Sequence, residues 1–373
     1  MGLVMINNSG QLSIANAVAG QSIELEYQGK SGLQLAMSQL YQGGSIVPNG
    51  SGANIPTSGK ISMSNFYGSA KPSLVQFVAQ AEYTNIFAYT KDAKNWIQGT
   101  LPSVQIIVCG ICVDDKWIMP SRNNPVVFNS NDGINWVQNT LPQVGGSIAY
   151  GNGVYIMVTG YGTNTVNYLY SNDGVNWVIK EFPLSQTNSG VSYGNGVFVV
   201  IGYGSNILFY STDGINWTQV TLPTTVFYIT YGNNLFVATP LNGTSYITSP
   251  DGKTWTQRTL PVSISQFNGN AVAYGNNVFV ALVSSTNVLT SPDGINWTQY
   301  NSLVTGNCIT FGNGLFLITN GSTFSTSPDG INWTQGNMPS SQSWQTAISS
   351  NANSSHGVSD GGDDDPDPDL IRI

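Results

Sequence analysis

A phrase of seven residues, Ser/Thr-x-Asp-Gly-x-Asn-Trp, recurs seven times along the chain with small departures. The copies are Thr90 to Trp96, Ser130 to Trp136, Ser171 to Trp177, Ser211 to Trp217, Ser249 to Trp255, Ser291 to Trp297 and Ser327 to Trp333. Successive tryptophans are 40, 41, 40, 38, 42 and 36 residues apart. A near-constant period of that size constrains the chain to a repeat architecture, in which each unit buries its apolar face only against its neighbours.

One unit shows what the repeat is made of. Gly-Ser-Ile-Ala-Tyr from Gly146 is followed by Gly151-Asn152-Gly153, then Val-Tyr-Ile-Met-Val, a Gly/Asn-rich loop, Tyr168-Leu-Tyr170, the phrase itself, and Trp177-Val-Ile. Four short β-branched and aromatic runs separated by turn residues predict four strands. The Gly-Asn breaks suit tight hairpins that need positive φ. No helical periodicity interrupts the pattern between Lys71 and Ser350. The expected fold is all-β: a seven-bladed β-propeller of four-stranded blades, with a small irregular N-terminal attachment domain and an acidic C-terminal tail. Its divisions are 1–70, 71–350 and 351–373. Only three strand-like runs precede or start at Trp96 (74–80, 85–89 and 96–97), and one run, Trp344 to Ser349, follows the last phrase. The C-terminal run is therefore expected to complete blade 1 and close the ring.

The phrase has a mechanical reading. The aspartate accepts hydrogen bonds from amides of its own turn, the glycine takes the left-handed position, and the tryptophan packs beneath. The residues so assigned are Asp92, Asp132, Asp173, Asp213, Asp251, Asp293 and Asp329, with Trp96, Trp136, Trp177, Trp217, Trp255, Trp297 and Trp333. This pattern resembles the Asp-box of bacterial neuraminidase repeats. The resemblance implies a turn between the third and fourth strands of a propeller blade, away from any catalytic centre. Asp-boxes occur in enzymes and in pure binding proteins, so the resemblance speaks to fold.

Composition narrows the function. Only 8% of residues are charged and 11% are aromatic, against about a quarter charged in ordinary domains. A surface dominated by uncharged polar groups suits neutral glycans or an extracellular structural role. Net charge is −8, but six aspartates fall within residues 360–369. The remainder is close to neutral and has no basic patch, which argues against nucleic acid. No apolar stretch is long enough to span a membrane, and the first residues lack the features of a secretory signal. That combination points to release by lysis, as from a virus.

Catalytic candidates are few. Between Lys71 and Ser359 there are nine aspartates and two glutamates, seven of them committed to the repeated turns. Asp114, Asp115, Glu82 and Glu181 remain, and Asp114-Asp115 reads as a solvated hairpin. A glycosidase needs two converging carboxylates. The neuraminidase pattern implies three arginines, where the propeller has Arg122 and Arg258 alone. The single histidine, His356, lies in the tail, so a histidine-based triad is excluded from the body. Cys109-Gly-Ile-Cys112 and Cys308 give no even disulfide set and read as buried thiols. No catalytic residue, cofactor or metal is assigned, and the ligand-binding residues are left open.

The first 70 residues differ in texture. Gly10-Gln-Leu-Ser-Ile-Ala-Asn and Gly59-Lys-Ile-Ser-Met-Ser-Asn-Phe-Tyr-Gly68 are related pieces around Leu35 to Tyr41 and a Gly/Ser/Asn/Pro loop. Helical turns capped by Ser13, Ser38 and Ser62 are expected. The stretch Ser58 to Gly68 resembles a motif in the N-terminal regions of bacteriophage tail and baseplate-associated structural proteins. That resemblance implies a virion attachment module followed by a distal domain. In the tail, Asp363 to Ile373 combines charge, proline and an apolar end. It lacks the spacing of an ordered calcium loop, and the expectation is disorder or docking of Leu370 to Ile373 on a neighbouring subunit. The expected function is a phage virion protein, a tail fibre or tail-associated receptor-binding component contacting a host surface glycan. Its partners would be other tail or baseplate proteins, bound through 1–70 and 363–373. The alternatives are a purely structural or decorating virion protein and, more remotely, a sialidase-like glycan-degrading enzyme.

Overall fold

The computed structural model describes the backbone of residues 2–6, 12–15 and 23–27, and residues 75–350 except 108, 160–164, 265–271, 285–286, 302–305 and 307. The chain divides into two compact units, Met1–Ser73 and Leu74–Ile373.

The second unit is a propeller of seven four-stranded antiparallel sheets. In blade 3 the strands are Ile148–Gly151, Val154–Val158, Thr165–Ser171 and Val178–Gln186, paired in sequence order. The first strands of neighbouring blades pack against one another and so ring the axis, leaving the fourth strands at the rim. Burial follows this radial order. Val154–Val158 is buried at every residue, because adjacent blades cover both sheet faces and the strand therefore reads as a continuous apolar run. The rim strand Thr218–Thr221 is mostly exposed and carries Thr and Gln.

Seven apolar cores lie between the blades. Ile111, Ile118 and Val127 of blade 2 pack with Ile148, Met157, Leu169 and Trp177 of blade 3. The other junctions repeat the arrangement, each with the phrase tryptophan of the later blade at its edge. The ring closes as the sequence predicts. Trp344–Ser349 pairs antiparallel with Phe77–Ala81, which continues into Ile86–Thr90 and Trp96–Thr100. Blade 1 thus takes its innermost strand from the C-terminal side and its other three from the N-terminal side.

In the first unit, Gly2–Ile6 pairs antiparallel with Leu12–Ala15 and parallel with Ile23–Tyr27. This corrects the expected helical turn at Ser13. Leu12, Ser13 and Ile14 alternate apolar and polar with period two, and residues 12–15 pair as a strand in place of a capped turn. Ser38 and Ser62 lie outside the described residues, as do the motif at 58–68, His356 and the acidic tail.

Candidate functional site

Because the blades are simple meanders, their connections fall on two opposite faces. Turns between strands one and two, and between three and four, lie on one face. Loops between strands two and three, and the links between blades, lie on the other.

The repeated phrase builds the first face. In blade 4, Ile215 N and Asn216 N both donate to Asp213 Oδ1 at 2.8 Å, and Asn216 Nδ2 donates to Oδ2 at 2.6 Å. Ser211 Oγ donates to Asp213 Oδ1 and accepts from Gly214 N, each at 2.9 Å. Gly214 has φ 71° and presses against Ile156 of the preceding blade, where a Cβ would come within 2.8 Å of Cδ1. Tyr168 of blade 3 donates to the Gly214 carbonyl at 2.9 Å, so the turn is pinned to its neighbour. The same carboxylate-to-amide pattern holds Asp92, Asp132, Asp173, Asp251, Asp293 and Asp329. Amide donors from Asn95, Asn176 and Asn216 hold Asp92, Asp173 and Asp213 below the ordinary carboxylate range. At Asp132 and Asp329, partial burial opposes ionisation, but amides at 134–135 and 331–332 outweigh it and leave both near a pKa of about 2. Each aspartate is bound within its own turn, one per blade.

The hairpins on this face clip blade to blade. Asn152, Asn195, Asn233 and Asn276 have φ between 45° and 48°. Their side-chain amides donate to the carbonyls of Thr212, Pro250, Pro292 and Pro328, the second residue of the next blade's phrase. Asp114 and Asp115, with φ 50° and 65°, form the equivalent hairpin of blade 2. Glu82 lies on the opposite face, in the turn between Phe77–Ala81 and Ile86–Thr90, and Glu181 sits on the rim strand of blade 3. These carboxylates are thus distributed over two faces and the rim. Arg122 follows a second strand in blade 2, and Arg258, whose Nε donates to Thr248 Oγ1 at 2.8 Å, lies on the rim strand of blade 5.

Cys109 and Cys112 enter different cores, between blades 2 and 3 and between blades 1 and 2, because residues three apart on an extended chain point to opposite sides. Burial pushes the Cys109 thiol up to about 12 and that of Cys308 up to about 11. Among the described residues, no group of three or more His, Cys, Asp and Glu side chains is placed to hold a metal ion.

On the opposite face, the exposed Tyr203 and the half-buried Phe227 meet edge to face, 5.0 Å between ring centroids, where blade 4 meets blade 5. Sequence reasoning did not select this pair. Apolar side chains are also exposed on the rim strands of blades 1 to 3, at Ile97, Val137, Val178 and Ile179, where blades 4 to 7 begin with Thr218, Thr256, Thr298 and Thr334.

Residues 140–267 match the model of the DUF6242 beta propeller domain. No curated protein matches the chain. Among solved structures, an inactivated virginiamycin B lyase from Staphylococcus aureus with quinupristin superposes with a TM-score of 0.55 at 13% identity, over 71% of this chain and 95% of that one. A functionally unknown protein from Desulfotomaculum acetoxidans gives 0.55 at 11% identity, over 73% and 98%. A streptogramin B lyase gives 0.54 at 14%, over 63% and 83%. At these identities the likeness is one of fold.

Proposed function

We propose that the chain is a bacteriophage virion protein, a tail fibre or other tail-associated receptor-binding component, whose propeller is a non-catalytic display platform. In this reading residues 1–70 attach to the particle, through the segment resembling phage tail proteins, and the propeller meets a host surface glycan. The observation that supports the non-catalytic part of the reading is the commitment of the carboxylates. Seven of the nine propeller aspartates are bound within turns of the Asp-box kind, and the remaining carboxylates lie on separate faces. That leaves a rigid body whose useful surface is uncharged and rich in hydrogen-bonding groups, suited to recognition without chemistry. The inactive lyase it resembles in fold is a histidine-to-alanine variant, whereas the only histidine here is His356 in the tail.

The test is direct. Purified full-length protein should bind host envelopes and compete with phage adsorption, and antibody against residues 1–70 should label the particle. Labelled particles with no envelope binding would favour the second reading, a structural or decorating protein. That reading draws on the apolar rim of blades 1 to 3, which suits burial against neighbouring subunits. Release of reducing sugar from envelope polysaccharide would overturn the non-catalytic assignment.

A further inference from the structure

The junction of blades 4 and 5, on the face away from the repeated turns, carries an aromatic pair, Tyr203 and Phe227. Tyr203, 39% exposed, stands on the loop between Val197–Gly202 and Ile207–Ser211. Its amide donates to Thr187 O at 2.7 Å, and the amide of Phe227 donates to Thr239 O at 2.9 Å, so both rings are carried on fixed backbone. Gly204, with φ 61°, follows Tyr203, and a Cβ there would reach the Phe227 ring at 4.0 Å. Its lack of a side chain keeps the edge of that ring open.

Alongside lies a buried amide pair. Gln186 Nε2 donates to Asn188 Oδ1 at 3.0 Å. Among the described residues, the other half of each amide, Gln186 Oε1 and Asn188 Nδ2, has no hydrogen-bond partner, and neither does Thr239 Oγ1. The three residues are 6%, 2% and 1% exposed. Gln186 Oε1 lies against Gly202, immediately before Tyr203, where a Cβ would come within 2.8 Å of it. Buried polar groups left unpaired are costly. A hydroxyl both donates and accepts, so one such group can satisfy an unpaired amide oxygen and an unpaired amide N–H.

Charge selects among ligands. From Phe182 to Pro250 the only charged residue is Asp213, which belongs to the opposite face. A sulfated, phosphorylated or carboxylated ligand would find no counter-charge in this stretch. An exposed aromatic ring beside neutral amides instead matches a ligand with an apolar C–H face and a rim of hydroxyls.

We propose that Tyr203 and Phe227, with the Gln186–Asn188 amide pair, form a binding site for a neutral glycan. One sugar ring stacks on Tyr203, and a hydroxyl reaches the amide pair as the loop gives way. The proposal rests on the receptor-binding reading above and names the face and ligand class through which it acts.

The experiment uses the full-length protein on an immobilised panel of neutral oligosaccharides, with sialylated and uronic-acid glycans on the same surface. Wild type is expected to bind neutral members only. Tyr203→Ala should weaken that binding about tenfold or more, as loss of an aromatic anchor does at a recognition site, and Tyr203→Phe should keep it within about threefold. Gln186→Leu should weaken it while Tyr203 stacking persists. Unchanged melting of Tyr203→Ala, whose ring is exposed, guards against misfolding as the cause. Wild type that binds no neutral glycan, or Tyr203→Ala that binds as wild type does, overturns the site. Wild type and Tyr203→Ala binding host envelopes equally would sink this site and leave the receptor reading intact. Wild type binding none would remove that reading itself. Envelope binding abolished by protease but unaffected by periodate would identify a protein ligand and overturn the glycan assignment.

Discussion

In six of the seven repeated turns a glycine occupies the left-handed position, at φ between 70° and 74°; in blade 1 the residue is Ala93, at φ 57°. The left-handed region costs an alanine about 1–2 kcal/mol because its Cβ crowds the backbone. Replacing Ala93 by glycine removes that strain but gives the unfolded chain more freedom, worth about 0.4–1 kcal/mol. Ala93→Gly is therefore expected to stabilise the protein by about 0.5–1 kcal/mol in denaturant unfolding. Since the lost methyl is itself buried, the gain belongs at the low end, and a net loss would show that packing of Ala93 outweighs strain. The aspartates of the same turns set an acid limit. Their folded pKa values are depressed from 3.8, to about 2 at Asp132 and Asp329. A depressed carboxylate contributes its full stability above its unfolded pKa and loses it as pH falls through the folded one. The melting temperature should thus hold down to about pH 4 and fall progressively towards pH 2. Asp213→Asn should melt lower at neutral pH and show a shallower fall below pH 4. An equal slope in that variant would mean the acid sensitivity arises elsewhere.

Between neighbouring elements, an aromatic ring at the end of one first strand lies directly on a glycine of the preceding blade. A Cβ on Gly151, Gly194, Gly232 or Gly275 would approach ring atoms of Tyr193, Tyr231, Tyr274 or Phe311 to 2.0–2.2 Å. Each of these rings also meets a phenylalanine of its own second strand, at centroid distances of 4.6–4.8 Å. It is held between two blades, with part of its surface open to solvent. Gly194→Ala should therefore destabilise by about 1–3 kcal/mol, the cost of overpacking a close-packed core, although φ at this glycine needs no special freedom. A stability unchanged within error would mean that Tyr231 swings out freely. These glycines carry a sequence signal, since Tyr-Gly-Asn recurs before the hairpins, but spacing alone reads it as turn chemistry. Their contact is made with another blade, which no local pattern reports. Strand order and closure were legible because a four-strand unit with a fixed period leaves few ways to pack. The turn aspartates were legible because their partners lie within three residues. The Tyr203 surface was not, because it joins residues 186–188, 202–205 and 227 from different segments. Its trace in the sequence is compositional, the stretch between Glu181 and Asp251 in which Asp213 is the only charged residue. The apolar rim of blades 1 to 3 is likewise visible only when Ile97, Val137 and Val178 are aligned with Thr218 and its equivalents.

At the scale of the whole ring, stability depends on one strand that arrives last in the chain. Trp344–Ser349 belongs to blade 1 but contributes to cores on both of its sides. Trp344 and Ala347 pack between blades 7 and 1, and Ile348 packs between blades 1 and 2. Its polar groups tie the same neighbours: Thr319 Oγ1 donates to Trp344 O at 3.1 Å, Ser349 Oγ to Phe311 O at 2.7 Å, and Thr346 Oγ1 to Ile107 O at 2.6 Å. Across the seam, Ser340 Oγ also donates to Gln98 Oε1 on the rim strand of blade 1 at 2.9 Å. An open ring would expose the apolar faces of two blades and an unpaired inner edge, whereas every other junction joins consecutive stretches of chain. Trp344 is fully buried, and Trp344→Ala should cost about 3–5 kcal/mol, a cavity cost, because the surrounding blades relax only partially. Ending the chain at Ser343 should do more. It removes the strand outright and should replace one cooperative unfolding transition by a broad or two-step one, with blade 1 protease-sensitive before the rest. Removal of 363–373 alone should leave the melting transition in place, since the closing strand remains whole. If the chain ending at Ser343 melts in a single sharp transition close to that of the full protein, the seam is not what holds the ring, and the inter-blade cores alone suffice.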